Sequence, residues 1–343
     1  MVSNSIQLRF KPDFKKFWNI NRMFSYTDIH TYIVIGGRGI GKTTGALTWC
    51  INNFIKRGEE FVLMRRYKTE SKKAIGEIDK DFIGIKHVSI GDGVFRLETN
   101  KVRIGYVIPM STQATYKSGI DFSNVTTLIF DEAILPSGGA YRYLENDVEV
   151  MFEVMSTIFR ARKDYNVFIL GNNASLFNPY FEYFHIPRFE TNYVDKSRQL
   201  YCELAKNSPE LLEQEKETPL YKLTQGTSYA DYHYNNKPWV NTNVKIADKL
   251  PTAKLMYRLL YNSVTLNVYR QTYMDLYIEK RDKVIKDNDT WIIMENGERN
   301  YMYVREFKKT PSYRLLELCY YDDSVYYDSI ESGAILNEIM ETI

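Results

Sequence analysis

With 343 residues, the chain is long enough for two domains of ordinary size. Its 44% hydrophobic and 26% charged content is that of a folded globular protein and excludes a disordered one. The 45 Lys and Arg against 43 Asp and Glu leave a net charge of +2, which excludes a histone-like coating of nucleic acid and confines any such contact to local patches.

Residues 1–30 alternate polar and aromatic positions, with Phe14, Phe17, Trp18, Phe24 and Tyr26 either flanking a nucleotide base or covering a sheet edge. Thr31 to Ile35 reads as a short buried strand. It runs into Gly36-Gly37-Arg38-Gly39-Ile40-Gly41-Lys42-Thr43, a full match to G-x-x-x-x-G-K-[ST], with Thr44 next. After it, Leu47, Cys50, Ile51, Phe54 and Ile55 fall at helical spacing, and Gly58 is placed to end that helix. Strand, glycine loop and helix form the context in which backbone N–H groups and a helix N-terminus hold phosphate. Lys42 then reaches the β- and γ-phosphates of ATP and Thr43 holds Mg²⁺. Arg38 faces the γ-phosphate, a neighbouring molecule or solvent; the residues do not choose.

Phe61 to Met64 is a second buried strand, ended by Arg65-Arg66-Tyr67-Lys68. Lying at a strand's C-terminal end, this cluster is either a phosphate contact or a solvated charge run. Residues 71–105 are mixed and basic, with strand-like pieces at Phe95 to Leu97 and Val102 to Ile104, and a further strand at Tyr106 to Met110. A polar loop, Thr115 to Gly119, contains Lys117. Thr127 to Phe130 is an apolar strand ending in Asp131-Glu132. A polar end cap would look the same in isolation. With the phosphate loop upstream it reads as a Walker B element, Asp131 for Mg²⁺ and Glu132 for the attacking water. A helical period runs from Leu144 through Val148, Met151, Met155 and Phe159 to Arg160-Ala161-Arg162. Val167 to Leu170 is another buried strand, and Asn172 at its tip is either a γ-phosphate sensor or a turn residue.

The alternation of strands and helices through residue 190 predicts a three-layered α/β domain with a largely parallel sheet over residues 1–205. Residues 206–228 are charged, open on Ser208-Pro209-Glu210, and read as a helical linker. Residues 229–343 turn strand-rich: Lys254 to Tyr261, Ser263 to Arg270 and Tyr273 to Glu279 form an antiparallel meander, Trp291 to Met294 a fourth strand, then a helix from Pro311, a strand at Val325 to Tyr327 and a helix from Ile330. This approximates a ribonuclease-H-like α+β order. The first strand lacks the aspartate a two-metal nuclease needs, and Asp275, Glu279 and Asp328 are scattered, so no nuclease activity is expected. Lys245, Lys249, Lys254 and Arg258 are candidates for binding a DNA backbone or a protein partner instead.

The three cysteines, Cys50, Cys202 and Cys319, follow no metal spacing and fit buried thiols of a reducing compartment; the four histidines are scattered as well. No apolar run is long enough to cross a bilayer, and Met1 to Asn4 lacks the apolar core of a signal peptide. The 28 tyrosines admit base stacking or simply a strand-rich fold. A small-molecule kinase needs no glutamate after the Walker B aspartate, and Gly171 to Ala174 lacks the lysine and aspartate that read guanine, so the residues favour an ATPase.

Val34 to Glu70, Thr127 to Glu132, Thr157 to Arg162 and Asn172 to Phe181, with Asn178-Pro179-Tyr180-Phe181, together closely resemble the DNA-packaging ATPases of phi-29-type tailed bacteriophages. The resemblance implies a P-loop, RecA-like ATPase of the additional-strand, catalytic-glutamate class (ASCE), followed by a vestigial nuclease domain. It implies a homopentameric ring that drives double-stranded DNA into a procapsid from the host cytoplasm, transiently at the portal vertex, and leaves a scaffold RNA between ring and portal open. Carried over, Arg160 is the arginine that enters the neighbouring subunit's site, Arg162 its runner-up, and Lys117 a lysine near the subunit interface. The alternatives are another P-loop ATPase, namely a nucleic-acid translocase, a helicase or a terminase with an active nuclease, and a non-catalytic assembly protein.

Overall fold

Six parallel strands put every candidate nucleotide residue at one end of one sheet. The structure is a computed structural model that describes residues 6–9, 13, 16–116, 119–135, 142–172, 178–184, 186, 189, 191–227, 230, 234, 244–295, 298–322 and 324–343. The described residues divide into two units, one of 6–135, 142–172 and 189–234, the other of 178–186 and 244–343.

In the first unit the strands are β1 (Thr31–Gly36), β2 (Glu60–Arg65), β3 (Lys86–Gly91), β4 (Val94–Thr99), β5 (Val102–Pro109), β6 (Val125–Phe130), β7 (Asn166–Asn172), β8 (Asn192–Asp195) and β9 (Leu200–Ala205). Their order across the sheet is β8-β9-β1-β7-β6-β2-β5-β4-β3. The run from β9 to β5 is parallel, and β8, β4 and β3 are antiparallel additions at the edges. Residues 32–36 of β1 and all of β2 are buried, as strands covered by helices on both faces must be. Helix α1 (Lys42–Arg57) packs Leu47, Cys50, Ile51 and Phe54 into this core and stops at Gly58, whose left-handed φ of 72° lets its N–H return to the Phe54 carbonyl.

Several elements differ from the sequence reading. Lys68–Asp81 is a helix, α2, begun by the Glu70 carboxylate accepting the Tyr67 N–H at 2.9 Å. The two strand-like pieces after Lys101 are one strand, β5. Strands β8 and β9 lie beyond the segment read as alternating, and β9 inserts beside β1. Helix α3 (Asp147–Phe159) buries Val148, Met151, Val154, Ile158 and Phe159. The charged segment forms two short helices, α4 (Pro209–Lys216) and α5 (Pro219–Thr224), capped by Ser208 and Thr218, and Leu211 joins the core beneath the sheet.

The second unit holds β10 (Lys245–Ile246), β11 (Lys254–Tyr261), β12 (Val264–Arg270), β13 (Leu276–Arg281), β14 (Thr290–Glu295), β15 (Glu298–Arg299) and β16 (Val325–Tyr327), in the order β10-β16-β13-β12-β11-β14-β15. The meander β11-β12-β13 is as expected; β14 runs parallel to β11 and β16 parallel to β13. Helices α6 (Tyr301–Lys308), α7 (Pro311–Tyr321) and α8 (Ile330–Thr342) cover one face through Phe307, Leu316, Ile335 and Ile339. Helix α6 was not expected. The other face aligns Arg258, Asn267 and Glu279 side by side across three strands. No described helix is long and apolar enough to cross a membrane.

Candidate active site

The glycine loop leaves the C-terminal end of β1, where Gly36 is a steric requirement. A Cβ there would lie 2.4 Å from the Ala205 carbonyl oxygen of β9. Gly41 caps α1 with φ 87°, a left-handed conformation that costs other residues about 1 kcal/mol or more. The Lys42 ammonium curls back over the loop, donating to the Gly36 carbonyl at 2.9 Å and the Gly37 carbonyl at 2.7 Å. Burial pushes its pKa down to about 8, Asp131 opposing the shift and Arg38 adding to it. Arg38 is exposed, and no partner for it is present among the described residues.

Asp131 and Glu132 sit just past β6, two strands from β1. The Thr43 hydroxyl donates to both Asp131 carboxylate oxygens at 3.0 Å. Thus Thr43 and Asp131, 88 residues apart, are brought together as the motifs require. Glu132 takes a left-handed φ of 55°, its N–H donating to Asp131 Oδ1 at 3.0 Å. Asn172 ends β7 in register with Gly36, beside the loop. The Thr44 hydroxyl donates instead to Asp81 of α2 at 2.6 Å. Lys117 falls outside the described residues.

The Arg65-Arg66 pair is not a solvated charge run. Both side chains are buried against acids that the sequence places far away. Arg65 bonds Asp131 Oδ2 at 2.7 Å, Glu132 Oε2 at 2.8 Å and Glu77 Oε2 at 2.5 Å, bracing both Walker B acids with one guanidinium. Arg66 makes a two-pronged pair with Asp147, the first residue of α3, at 2.7 and 3.0 Å. It also donates to the carbonyls of Glu132 at 3.3 Å and Ala133 at 2.7 Å, and lies between the rings of Phe130 and Tyr143. The one signal within the sequence was position: basic residues ending the strand next to Walker B.

At the far end of α3 the two arginines part company. Arg162 is pinned: its guanidinium donates to the carbonyls of Ser123 at 2.8 Å, Phe122 at 3.1 Å, Phe159 at 3.2 Å and Ile158. That anchorage holds its guanidinium against its own chain. Arg160 is exposed, at φ 51°, with no partner among the described residues. It lies by the start of β6, opposite the end that carries Asp131: Ser123 and Phe122 precede β6, and Phe159 stacks on Tyr165 just before β7 at 4.3 Å. The 13 residues of α3 separate it from Asp131 by about 20 Å, beyond any arginine's reach.

The sequence profile of the podovirus DNA encapsidation proteins (Gp16) matches residues 13–342. The chain belongs to that family. It is similar to the DNA packaging protein of Bacillus phage phi29, 28% identical over 320 residues that cover 91% of this chain and 93% of the relative. It is also similar to that of Bacillus phage B103, 29% identical over 303 residues, with 87% and 91% covered. Among solved structures, the fold is shared with the bacteriophage Phi-29 viral genome packaging motor assembly, at a TM-score of 0.61 and 24% identity over 95% of this chain and 99% of that one. It is shared as well with the Phi-28 gp11 DNA packaging motor, at 0.55 and 18% over 96% and 98%.

Proposed function

We propose that the protein is an ATP-hydrolysing motor that drives double-stranded DNA into a preformed procapsid. It acts as a pentameric ring of identical subunits at the portal vertex, in the host cytoplasm, with or without a scaffold RNA. The observation that carries this reading is the division of one catalytic set between two ends of the subunit. Loop, Thr43, Asp131 and Glu132 converge at one end, and the exposed Arg160 lies at the other. Such a subunit has half a site at each end, and a ring of copies joins the halves.

The donor set suits the nucleotide. Thr43 and Asp131 are hard oxygen ligands 3.0 Å apart, the type Mg²⁺ takes. The metal, when bound there, neutralises charge on the β- and γ-phosphates. Lys42 exchanges its loop carbonyls for phosphate. Glu132 takes a proton from the attacking water once it is released from Arg65. Arg160 of a neighbour stabilises the transferring phosphoryl group.

The motor is the first unit, on whose core the segment 206–228 read as a linker packs through Leu211, and the second unit is a nuclease-like domain that does not cut. There the Glu279 carboxylate accepts from the Tyr269 hydroxyl at 2.7 Å and pairs with Arg281 at 2.9 Å and Lys249 at 3.4 Å, which occupies it with cations of the chain itself. No group of three or more His, Cys, Asp or Glu side chains suited to a metal is present among the described residues.

Linear double-stranded DNA is expected to stimulate ATP turnover by the purified chain; a chain that hydrolyses no ATP with DNA present overturns the proposal. Lys42 supplies a second expectation. Phosphate at its ammonium favours the charged form, so ATP binding takes up a proton above about pH 8. Affinity is therefore full below that pH and falls as pH rises through it, by at most about tenfold per unit. Titration with a fluorescent ATP analogue across that range measures it, and a flat profile removes the lysine–phosphate contact.

A further inference from the structure

Arg66 is the more deeply enclosed of the two arginines that end and follow β2. Its side chain and that of Asp147 are 0% and 1% exposed. A buried ion pair adds little stability over apolar residues of the same shape, and its best-attested use is to fix one arrangement or switch between two. What this pair joins is specific. On one side are the carbonyls of Glu132 and Ala133, the backbone that holds Glu132 in its left-handed conformation. On the other is the first turn of α3, where Asp147 also accepts the Leu144 N–H at 2.9 Å. Helix α3 is packed along its length by Val148, Met151, Val154, Ile158 and Phe159, so it moves as one piece, and it ends at Arg160.

The geometry points to α3 as a connecting rod, with Arg66–Asp147 as its coupling. A change in the Glu132 backbone when ATP is bound or hydrolysed pulls on Arg66, shifts α3, and so resets the Arg160 that the subunit offers to its neighbour. Arg66 and Asp147 are then positioning residues for the next subunit's reaction, and the pair makes turnover in the ring sequential. This rests on the reading of Arg160 as acting between subunits. It adds the route by which one site governs the next, carried by contiguous side chains that both sites bias.

Doping tests it. Full-length chains are mixed with a growing share of Glu132→Gln chains, and DNA-stimulated ATP turnover is followed. In the otherwise unaltered protein, a stalled subunit presents a stalled finger and halts its five-membered ring, so an equal mixture retains roughly 3% of the rate, that of the rings free of the variant. With Arg66→Met and Asp147→Leu in both components, the finger no longer reads its own site. The rate per site falls, but the decline becomes proportional, roughly half remaining in an equal mixture. Asp147→Asn, which keeps shape and one acceptor, is the second variant should the apolar pair not fold, and it is expected to straighten the curve in the same way. A curve as steep in these variants as in the unaltered chain overturns the coupling, as does a proportional curve in the unaltered chain. Absence of any ATP turnover by the unaltered chain instead overturns the motor reading beneath it.

Discussion

Glu132→Gln is expected to cut ATP turnover by about 10²–10⁴-fold while leaving ATP binding nearly unchanged. The substitution keeps the side chain's shape and removes its ability to take a proton. The phosphate grip lies elsewhere, in the loop, Lys42 and the Thr43–Asp131 pair, none of which bonds the Glu132 side chain. The loss should therefore appear in kcat, with the KM for ATP little moved. Asp131→Asn provides the contrast. It removes charge from the group that Thr43 and Arg65 both contact, so binding of Mg·ATP falls as well. Steady-state turnover and an equilibrium binding titration separate the two. Turnover that persists undiminished in Glu132→Gln would show that another group activates the water.

The phosphate loop was legible because its chemistry is local: the glycines, Lys42 and Thr43 form a contiguous run, and the strand and helix around them carry plain apolar periods. Asp131 and Glu132 were legible at second hand, as an apolar strand ending in acids downstream of that loop. Arg65 and Arg66 were not. Whether a charge is buried depends on what faces it, and Asp147 is 81 residues from Arg66 and Asp131 is 66 from Arg65. Helix α2 was hidden for another reason: only Ala74, Ile75 and Ile78 give it an apolar face among many charges. Strand β9 alternates too weakly to stand out, and its place beside β1 is a matter of topology that no local pattern encodes. In the second unit the meander was legible from its turns. The position of β16 next to β13, rather than beyond β14, was not.

Removing Arg160 should be as damaging as removing Glu132, but with a different concentration dependence. An arginine finger contributes about 10³-fold or more to turnover. Since Arg160 stands about 20 Å from the Asp131 of its own chain, that contribution exists only where a second copy supplies it. Turnover per chain in the unaltered protein is then expected to rise with protein concentration as rings assemble. Arg160→Ala should stay at the low rate of the isolated subunit at every concentration, with ATP binding retained. Arg160→Lys should recover little, because a point charge does not replace a planar fork against a phosphoryl group. Arg162→Ala tests the assignment from the other side. Its guanidinium ties the end of α3 to the carbonyls of Phe122 and Ser123, so its loss should lower thermal stability first and affect turnover only through that loosening. If Arg162→Ala abolished turnover at unchanged stability while Arg160→Ala did not, the two arginines would exchange roles. If turnover per chain were independent of concentration in the unaltered protein, the site would be complete within one subunit, and Arg160 would have no part in it.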